Sequence, residues 1–249
     1  MVSSFKLKLK DYIYYPEGKL IYNKAMFEEV AGRYDFITRV LSFGRDSIWK
    51  DELVLVLPEF ENIKCLDMGC GTGDITFRLA KKYPEGEVIG IDVTEAMLDK
   101  ARQRNNFNNV SLELKDMCYS RYGDNSFDII TGGYALRNAG DIKRAIKEVW
   151  RLLRPGGVGA FLDFSKSRNK FEQKMKYFIL KLWTSFWGII FHGKAELYGY
   201  IAESLEQFPD SEELKFYFKE AGFINIISKK YYFGIMETIW FEKPGGQNH

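Results

Sequence analysis

The seven residues from 67 to 73 decide the fold, and they read Asp67-Met68-Gly69-Cys70-Gly71-Thr72-Gly73. They close a short run of strand-forming residues, Ile63 to Asp67. A glycine-rich turn at the carboxyl end of a first strand places backbone N–H groups, and the N-terminus of the next helix, beside whatever binds the crevice. Glycine is needed because a Cβ would block close approach. We therefore predict a cofactor site at this turn.

Outward from the turn, short β-rich runs alternate with helical patterns, which indicates a parallel sheet covered by helices on both faces. The predicted strands are Ile63 to Asp67, Val88 to Val93, Val110 to Leu114, Phe127 to Gly132 and Val158 to Phe164. The predicted helices between them are Ile75 to Lys82, Ala96 to Arg104 and Ile142 to Leu153, the last one stopped by Arg154-Pro155-Gly156-Gly157. This pattern predicts a doubly wound, Rossmann-like α/β fold.

The rest of the chain adds helices and two more strands. Three further helices are predicted, at Asn169 to Phe186, Ala195 to Gln207 and Ser211 to Ala221. A C-terminal antiparallel hairpin follows, with strands Ile224 to Tyr232 and Ile235 to Phe241 and its bend at Phe233-Gly234. The hairpin brings the mostly parallel sheet to seven strands. The first two of these helices, about residues 169–207, form a helical lid inserted after the fifth strand.

The segment before the first strand predicts a helical cap made of two helices, Asn23 to Ser42 and Ser47 to Leu57. Met1 to Lys10 alternates lysines with apolar residues and lacks the unbroken apolar stretch of a secretory signal. It fits an edge strand or a disordered tail, with a weak lipid contact as the alternative. We therefore expect an extension and cap over residues 1–60, one cofactor-binding domain over 61–241, and a tail over 242–249.

Composition narrows the classes of partner. The chain has 36 basic and 34 acidic side chains, and a net charge of +2 offers no general attraction for nucleic acid. Cys65, Cys70 and Cys118 are too few and too irregularly spaced for a disulfide framework or a structural zinc site. We therefore expect no nucleic acid, no metal and a cytoplasmic location. An aromatic content of 16% indicates an apolar substrate or a membrane surface.

The spacing of the glycines separates two kinds of cofactor. Gly69, Gly71 and Gly73 alternate, whereas dinucleotide-binding turns usually follow G-x-G-x-x-G. The alternation, with Asp67 before it, favours a methyltransferase over a dehydrogenase. S-adenosylmethionine has no pyrophosphate, but its ammonium, carboxylate and sulfonium would find partners in a carboxylate and free N–H groups. The predicted cofactor is therefore S-adenosylmethionine.

Two further strand ends carry residues that suit the predicted cofactor. Asp92 lies at the end of the second strand, about 20 residues beyond the turn, where a carboxylate can accept both ribose hydroxyls. Asp116-Met117 follows the third strand, where the carboxylate could accept the adenine amino group and the thioether could pack on the ring. An ordered series of this kind points to a nucleoside-containing cofactor.

Several local motifs resemble the C-methyltransferases of ubiquinone and menaquinone biosynthesis (UbiE/MenG type), over about residues 27–241. The matching segments are Ala31-Gly32-Arg33-Tyr34-Asp35, Ser42-Phe43-Gly44, Trp49-Lys50, Gly71-Thr72-Gly73-Asp74, Leu136-Arg137-Asn138, Leu153-Arg154-Pro155-Gly156-Gly157, Phe164-Ser165, Tyr200-Ile201-Ala202-Glu203-Ser204 and Phe208-Pro209. The Arg-Asn pair, the Tyr-Asp pair and the Ala-Glu-Ser segment are the most specific. The resemblance implies methylation of a quinol that carries an apolar tail; a homodimer is left open.

By this resemblance, Thr72, Asp92, Asp116, Met117 and Gly133 contact the cofactor, although the family often has serine in place of Gly133. With the turn and the strand ends, the expected cofactor residues are Asp67, Gly69, Gly71, Thr72, Gly73, Asp92, Val93, Asp116, Met117 and Gly133. The chain departs from the family on the expected substrate side, at Thr38, Asp46, Asp163 and Lys194.

Methylation of a quinol ring carbon is easier once an adjacent hydroxyl loses its proton. We favour Arg137 as the electrostatic stabiliser of the phenolate, with Asn138 orienting the ring oxygen and a water relaying the proton. Tyr34 and Asp35 are expected to complete the pocket, with Asp35 as an alternative base. The only histidines are His192 and His249, so a histidine-based mechanism has few candidates.

The segment from Tyr177 to Phe191 is nearly all apolar, but it is shorter than a membrane span. Five upstream and internal residues share one helical face, the pattern of a lid packed over a core: Phe171, Met175, Phe178, Leu182 and Phe186. Plain core packing is one interpretation. The other is that the remaining aromatic surface receives a polyprenyl tail and contacts the bilayer peripherally.

Three alternatives stay open at this point. The same fold and turn serve methyltransferases that act on other phenols or on lipids. A non-catalytic S-adenosylmethionine-binding subunit is a second alternative, which the presence of Arg137 weighs against. A nicotinamide dehydrogenase is the third and fits least well, because of the glycine spacing.

Overall fold

A single mixed sheet organises the molecule. The computed structural model describes residues 7, 11–12, 14–59, 62–192 and 196–245. Within them, seven strands form one sheet in the order β3-β2-β1-β4-β5-β7-β6. The strands are β1 Lys64–Met68, β2 Glu87–Asp92, β3 Val110–Leu114, β4 Phe127–Gly133, β5 Leu153–Phe164, β6 Ile224–Tyr231 and β7 Met236–Glu242. β1 to β5 pair in parallel, and β7 pairs antiparallel with both β5 and β6.

The helices among the described residues are α1 Pro16–Val30, α2 Tyr34–Leu41, α3 Asp46–Leu55, α4 Asp74–Lys82, α5 Glu95–Arg104, α6 Ile142–Leu152, α7 Lys170–His192, α8 Glu196–Gln207 and α9 Ser211–Glu220. Short 3₁₀ turns lie at Ala31–Arg33, Leu136–Asn138 and Tyr232–Gly234. The predicted doubly wound fold with a C-terminal antiparallel hairpin is confirmed. No helix among these residues combines the length and apolarity that a membrane crossing requires.

The sheet separates two apolar cores. Adjacent residues of a strand point to opposite faces, and on β1 Leu66 belongs to one buried cluster while Cys65 belongs to the other. A third cluster joins the N-terminal helices to α8 through Tyr22, Ile37 and Tyr200. This third cluster positions α1, α2 and α8 against one another beside the sheet.

β1 lies between β2 and β4, so the strand order reverses at this strand. In open α/β sheets, the crevice at the carboxyl ends of the strands on either side of such a reversal is where ligands bind. The glycine turn at residues 69–73 follows β1 directly. The predicted cofactor turn therefore lies at the topological switch point.

The predicted helix from Asn23 to Ser42 is wrong. The helix begins earlier, at Pro16, where the fixed φ of proline suits the first helical turn. It ends at Val30, and a 3₁₀ turn over Ala31–Arg33 precedes α2. Gly32 in this turn is a weak helix former. The break lets Tyr34 begin a separate helix with its own direction.

Two boundaries also differ from prediction. β5 begins at Leu153, not Val158, because a register shift opposite β4 takes up the Pro-Gly-Gly segment. The N–H of Gly156 donates to the carbonyl oxygen of Lys243 at 2.9 Å, so this segment is held by the chain after β7. α7 continues to His192. The expected strand or tail at Met1 to Lys10 lies outside the described residues, apart from Leu7.

Candidate functional site

The glycine turn has a backbone that only glycine adopts easily. Gly69, Gly71 and Gly73 have φ values of 65°, 55° and 88°, in the left-handed region that disfavours side chains. A Cβ on Gly69 would lie 3.0 Å from the Cβ of Ala135. The turn is fixed to the sheet because the N–H of Cys70 donates to Ile91 O at 2.9 Å.

Asp92 is held at the end of β2 by backbone groups. One carboxylate oxygen accepts the N–H of Gly71 at 2.9 Å, and the other accepts the N–H of Thr94 at 2.9 Å. Burial raises the pKa of Asp92, although these hydrogen bonds oppose the shift. A carboxylate oxygen accepts more than one hydrogen bond, so Asp92 retains capacity for a pair of ligand hydroxyls.

A cavity of about 70 Å³ lies at this strand edge, and we call it the smaller cavity. The predicted cofactor residues that line it are Gly69, Gly71, Asp92, Val93, Asp116, Met117 and Gly133. Leu20, Asn23 and Phe27 of α1 also line it. The carboxylate of Asp116 is oriented by the N–H of Cys118, which donates to it at 2.8 Å. Residues that are far apart in sequence therefore meet here as predicted.

Three predicted cofactor residues do not line this cavity. Asp67 is 1% exposed and accepts the hydroxyls of Thr76 at 2.7 Å and Thr131 at 2.9 Å. Burial raises its pKa to about 6. Asp67 therefore ties β1 to β4 and α4. Thr72 and Gly73 likewise lie outside the lining. The Thr72 hydroxyl donates to Asp35 at 2.5 Å.

A second cavity of about 280 Å³, the larger cavity, lies beside the first. Its apolar lining consists of Met26, Phe27, Val30, Ile37, Leu41, Phe43, Trp49, Phe164, Ile179, Leu180, Trp183, Ile201, Ile235 and Met236. Phe27, Tyr34, Tyr134 and Asn138 line both cavities. The two cavities therefore meet at these four residues, which we call the junction.

Arg137 contributes a buried positive charge to the larger cavity. Its backbone N–H donates to Asp163 Oδ2 at 2.9 Å, and its Nε lies 3.6 Å from Asp163 Oδ1. Its Nη1 donates to the hydroxyl of Ser204. The guanidinium also lies over the rings of Phe164 and Tyr200, at 5.0 and 5.5 Å from their centroids. Asp163 compensates a charge that would otherwise be costly to bury.

Asn138 is fixed at the junction by both ends of its amide. Its Nδ2 donates to Tyr134 O at 2.7 Å, and its Oδ1 accepts the hydroxyl of Tyr200 at 3.0 Å. Its backbone oxygen accepts Asn23 Nδ2 at 2.8 Å. α1 and α8 therefore both hold the Arg-Asn segment in place.

The predicted pocket residues Tyr34 and Asp35 lie in different surroundings. Tyr34 lies at the junction, where burial raises its pKa to about 12. Asp35 lines neither cavity. Its carboxylate accepts the Thr72 hydroxyl and pairs with Arg104 at 2.7 Å, in an exposed position. The geometry gives no support to Asp35 as the base. Lys194 and His249 lie outside the described residues.

The sequence interpretation missed an ionisable cluster behind the junction. The Tyr134 hydroxyl donates to Asp46 Oδ1 at 2.5 Å. Lys50 lies 2.7 Å from Asp46 Oδ2 and 3.0 Å from Asp74 Oδ2. Trp49-Lys50 and Asp46 were singled out in the sequence, but nothing local connects them to Tyr134, which is 88 positions from Asp46.

The same fold occurs in S-adenosylmethionine-dependent methyltransferases of known structure. A methyltransferase of this type from Thermotoga maritima superposes with a TM-score of 0.62 at 22% identity, covering 88% of this chain and 98% of that one. One from Aquifex aeolicus gives a TM-score of 0.59 at 18% identity, covering 84% and 97%. These likenesses define the class of fold.

Sequence comparison defines the family. A profile of the ubiE/COQ5 methyltransferase family matches residues 17–243. Demethylmenaquinone methyltransferase of Staphylococcus aureus is 34% identical over 212 residues, which are 84% of this chain and 88% of that protein. The chain belongs to the ubiE/COQ5 methyltransferase family. It is an S-adenosylmethionine-dependent methyltransferase.

The side chains that line the smaller cavity suit S-adenosylmethionine. Asp92 and Asp116 bring carboxylates to neighbouring strand ends, as a ribose and an adenine amino group require. Met117 supplies an apolar contact for a ring, and the turn at Gly69 and Gly71 has no Cβ to obstruct a ligand. The residues present therefore suit the nucleoside part of the cofactor.

Proposed function

We propose that this enzyme methylates a ring carbon of a demethylmenaquinol-class quinol that carries a polyprenyl tail. One observation carries the proposal. The larger cavity, which is apolar, has a volume of about 280 Å³ and is lined by Arg137, meets the smaller cavity at Tyr34, Tyr134 and Asn138. Such a cavity suits an apolar ring with one ionisable oxygen. The relative from Staphylococcus aureus, named a demethylmenaquinone methyltransferase, supports the same substrate class.

Bound S-adenosylmethionine supplies an activated methyl group, so the protein has to position the acceptor and exclude water. Asp92 would hold the ribose, and Asp116 with Met117 would hold the adenine. The apolar walls of the larger cavity exclude water from the acceptor ring. These residues account for binding and orientation.

Arg137 is our proposed stabiliser of the ring oxygen as it becomes a phenolate. Asp163 keeps the guanidinium in place, and the aromatic rings around it leave little competing water. A fixed charge in such a site stabilises developing negative charge far more than it would in water. Asn138, fixed by Tyr134 O and the Tyr200 hydroxyl, would orient the same oxygen.

Helix α7 connects the larger cavity to an exposed apolar surface. Leu180, Trp183 and Thr184 line the cavity. The prediction that one apolar face of α7 packs over a core is wrong, because that face is exposed. The exposed fractions are 79% for Phe171, 50% for Met175, 61% for Phe178, 57% for Leu182 and 53% for Phe186. Periodicity indicates one apolar face but does not say what covers it.

We propose that this exposed face of α7, residues 171–186, rests on the bilayer from which a quinol tail enters the larger cavity. Lys170 and Lys174 are exposed beside it and would attract anionic lipid. The test is flotation with neutral and anionic vesicles. Phe178→Glu and Leu182→Glu should abolish association, whereas Phe216→Glu, at an exposed aromatic of α9, should not. Equal flotation of all three variants would contradict the contact.

The substrate itself is tested by mass spectrometry. The full chain is incubated with S-adenosylmethionine and a panel of demethylated naphthoquinols and benzoquinols, with and without tails. We expect a gain of one methyl group on a ring carbon of the naphthoquinol. Methylation of oxygen, or of none of the quinols, would contradict the proposal.

A further inference from the structure

The cluster behind the junction, formed by Tyr134, Asp46 and Lys50, is joined by hydrogen bonds. It has no part in the proposed cofactor binding or in the proposed role of Arg137. Tyr134 is 8% exposed and lines both cavities. Its hydroxyl donates to Asp46. Asp46 and Lys50 line neither cavity. Tyr134 is therefore the group through which this carboxylate can reach a molecule at the junction.

Both oxygens of the Asp46 carboxylate have partners. Oδ2 lies 2.7 Å from Lys50 Nζ, and Oδ1 accepts the hydroxyl of Tyr134. Both Asp46 and Lys50 are buried, at 7% and 5% exposure. Lys50 also pairs with Asp74 at 3.0 Å, so its charge is shared between two carboxylates. Asp46 is thereby fixed with one oxygen directed at Tyr134.

Tyr134 cannot act as a base alone. Burial raises the pKa of Tyr134 well above its usual value, and the nearby Asp46 raises it further. The hydroxyl therefore keeps its proton. A hydroxyl that donates its proton to a carboxylate still accepts hydrogen bonds through its own lone pairs, so it can take up one proton as it gives up another.

Other titratable groups face Tyr134 from neighbouring elements. Tyr34 of α2 has a pKa raised to about 12 by burial, so it too stays protonated. Asp163 of β5 is engaged with Arg137. Lys50 is a cation and accepts no proton. Among the described residues facing Tyr134, Asp46 is the carboxylate that accepts its hydroxyl.

We propose that Tyr134 relays the acceptor's hydroxyl proton to Asp46 during methyl transfer. The inference rests on the proposed function. The ring O–H bond breaks as its proton bonds to Tyr134 Oη, while the original Tyr134 proton moves to Asp46 Oδ1. The electron pair left on the ring oxygen delocalises onto the carbon that takes the methyl group.

After the methyl group has been transferred, the methylated carbon gives its hydrogen to water as a proton and the ring oxygen takes one proton from water, which restores the aromatic quinol. One proton is released in total, and it is the one held by Asp46 until it returns to solvent. Tyr134 is then a catalytic residue, and Asp46 is the terminal proton acceptor.

The test uses the full chain with S-adenosylmethionine and the quinol that the wild type methylates. Tyr134→Phe and Asp46→Asn are compared with Tyr83→Phe, whose hydroxyl donates to Pro58 O at 2.7 Å away from both cavities. We expect kcat to fall about 100-fold in the first two variants near neutral pH. KM and cofactor affinity should stay close to wild type, and Tyr83→Phe should keep full kcat. Asp46→Asn removes a charged partner of buried Lys50, so kcat is compared at a temperature at which every variant is folded.

The pH profile separates a relay from a structural role. The deficit of Tyr134→Phe should shrink as the pH approaches about 10, the usual pKa of a phenol, because the substrate then ionises without help. A readout without turnover is the absorbance of 1-naphthol bound beside S-adenosylhomocysteine. Its ionisation should move to higher pH in both relay variants and stay unchanged in Tyr83→Phe.

The outcomes that overturn the relay are specific. An active wild type with Tyr134→Phe within threefold of its kcat near neutral pH would remove the relay and leave the proposed function intact. A deficit that is the same at every pH would also remove it, as would an unshifted naphthol ionisation. A wild type that methylates no quinol would remove both.

Discussion

Replacing Arg137 by leucine tests stability and chemistry at the same position. The change removes a guanidinium that is 5% exposed in its side chain and leaves Asp163, also 5% exposed, without its partner. Breaking a buried ion pair by removing one member costs about 3 to 5 kcal/mol. For a chain of this length, such a loss lowers Tm by roughly 6 to 20 °C. Arg154→Leu, which breaks an exposed pair with Asp128, should cost less than about 1 kcal/mol.

The stability deficit should depend on pH with a definite sign. Burial raises the pKa of Asp163, and Arg137 opposes this, so its removal raises that pKa further. Burial and Arg137 lower the pKa of Lys19 to about 8, so the same removal raises this pKa as well. Both groups then bind more protons in the folded variant than in the folded wild type. The Tm deficit of Arg137→Leu should therefore narrow as the pH falls. Lys19 contributes as the pH falls towards about 8, and Asp163 contributes in the acidic range above the usual pKa of an aspartate.

The catalytic effect is measured separately. Removing one fixed donor to a developing oxyanion costs about 100-fold to 1000-fold in kcat. Arg137 does not line the smaller cavity, so S-adenosylmethionine affinity measured by calorimetry should stay unchanged. Unchanged kcat at a temperature where the variant is folded would refute its role at the ring oxygen. Lost cofactor affinity with normal kcat would refute the separation of the two cavities.

Three further predictions concern the cofactor edge and the buried cluster. Asp92→Asn should weaken S-adenosylmethionine binding about 10-fold to 100-fold by calorimetry, because hydrogen bonds to a charged group contribute about 1.5 to 3 kcal/mol; wild-type affinity would contradict its ribose role. Gly69→Ala should destabilise more than Gly156→Ala in urea unfolding, since both have positive φ but only Gly69 would bring a Cβ against Ala135; equal losses would contradict the close approach. Lys50→Met should cost about 3 kcal/mol because Asp46 stays buried without its cation; an unchanged Tm would show that this carboxylate is hydrated.

Much of the fold could be predicted because its signals are local. The glycine turn and the alternation of strands and helices placed all seven strands within a few residues, apart from the start of β5. That start was missed because the pairing partner of the Pro-Gly-Gly segment, at Lys243, lies at the far end of the chain. The start of α1 at Pro16 had a local signal that the interpretation overlooked.

The candidate site also contains residues with a local signal and residues whose contacts depend on the whole fold. Asp92 and Asp116 could be predicted to lie together because a strand end is a local feature, and parallel strands bring such ends to one edge. Asp67 also lies close to a strand end, but its burial under two threonine hydroxyls depends on α4 and β4. The contact between Asp46 and Tyr134 joins α3 to the turn after β4 and has no local signature.

The sequence alone determined that a glycine turn follows the first strand of an alternating α/β chain, because backbone conformation and strand periodicity depend on neighbours along the chain. The tertiary structure alone decided that the apolar face of α7 is exposed and that Asp46 accepts the hydroxyl of Tyr134. An apolar stripe has the same periodicity whether protein, lipid or water covers it. Burial and ion pairing are set by distances across the fold, which the order of residues does not encode locally.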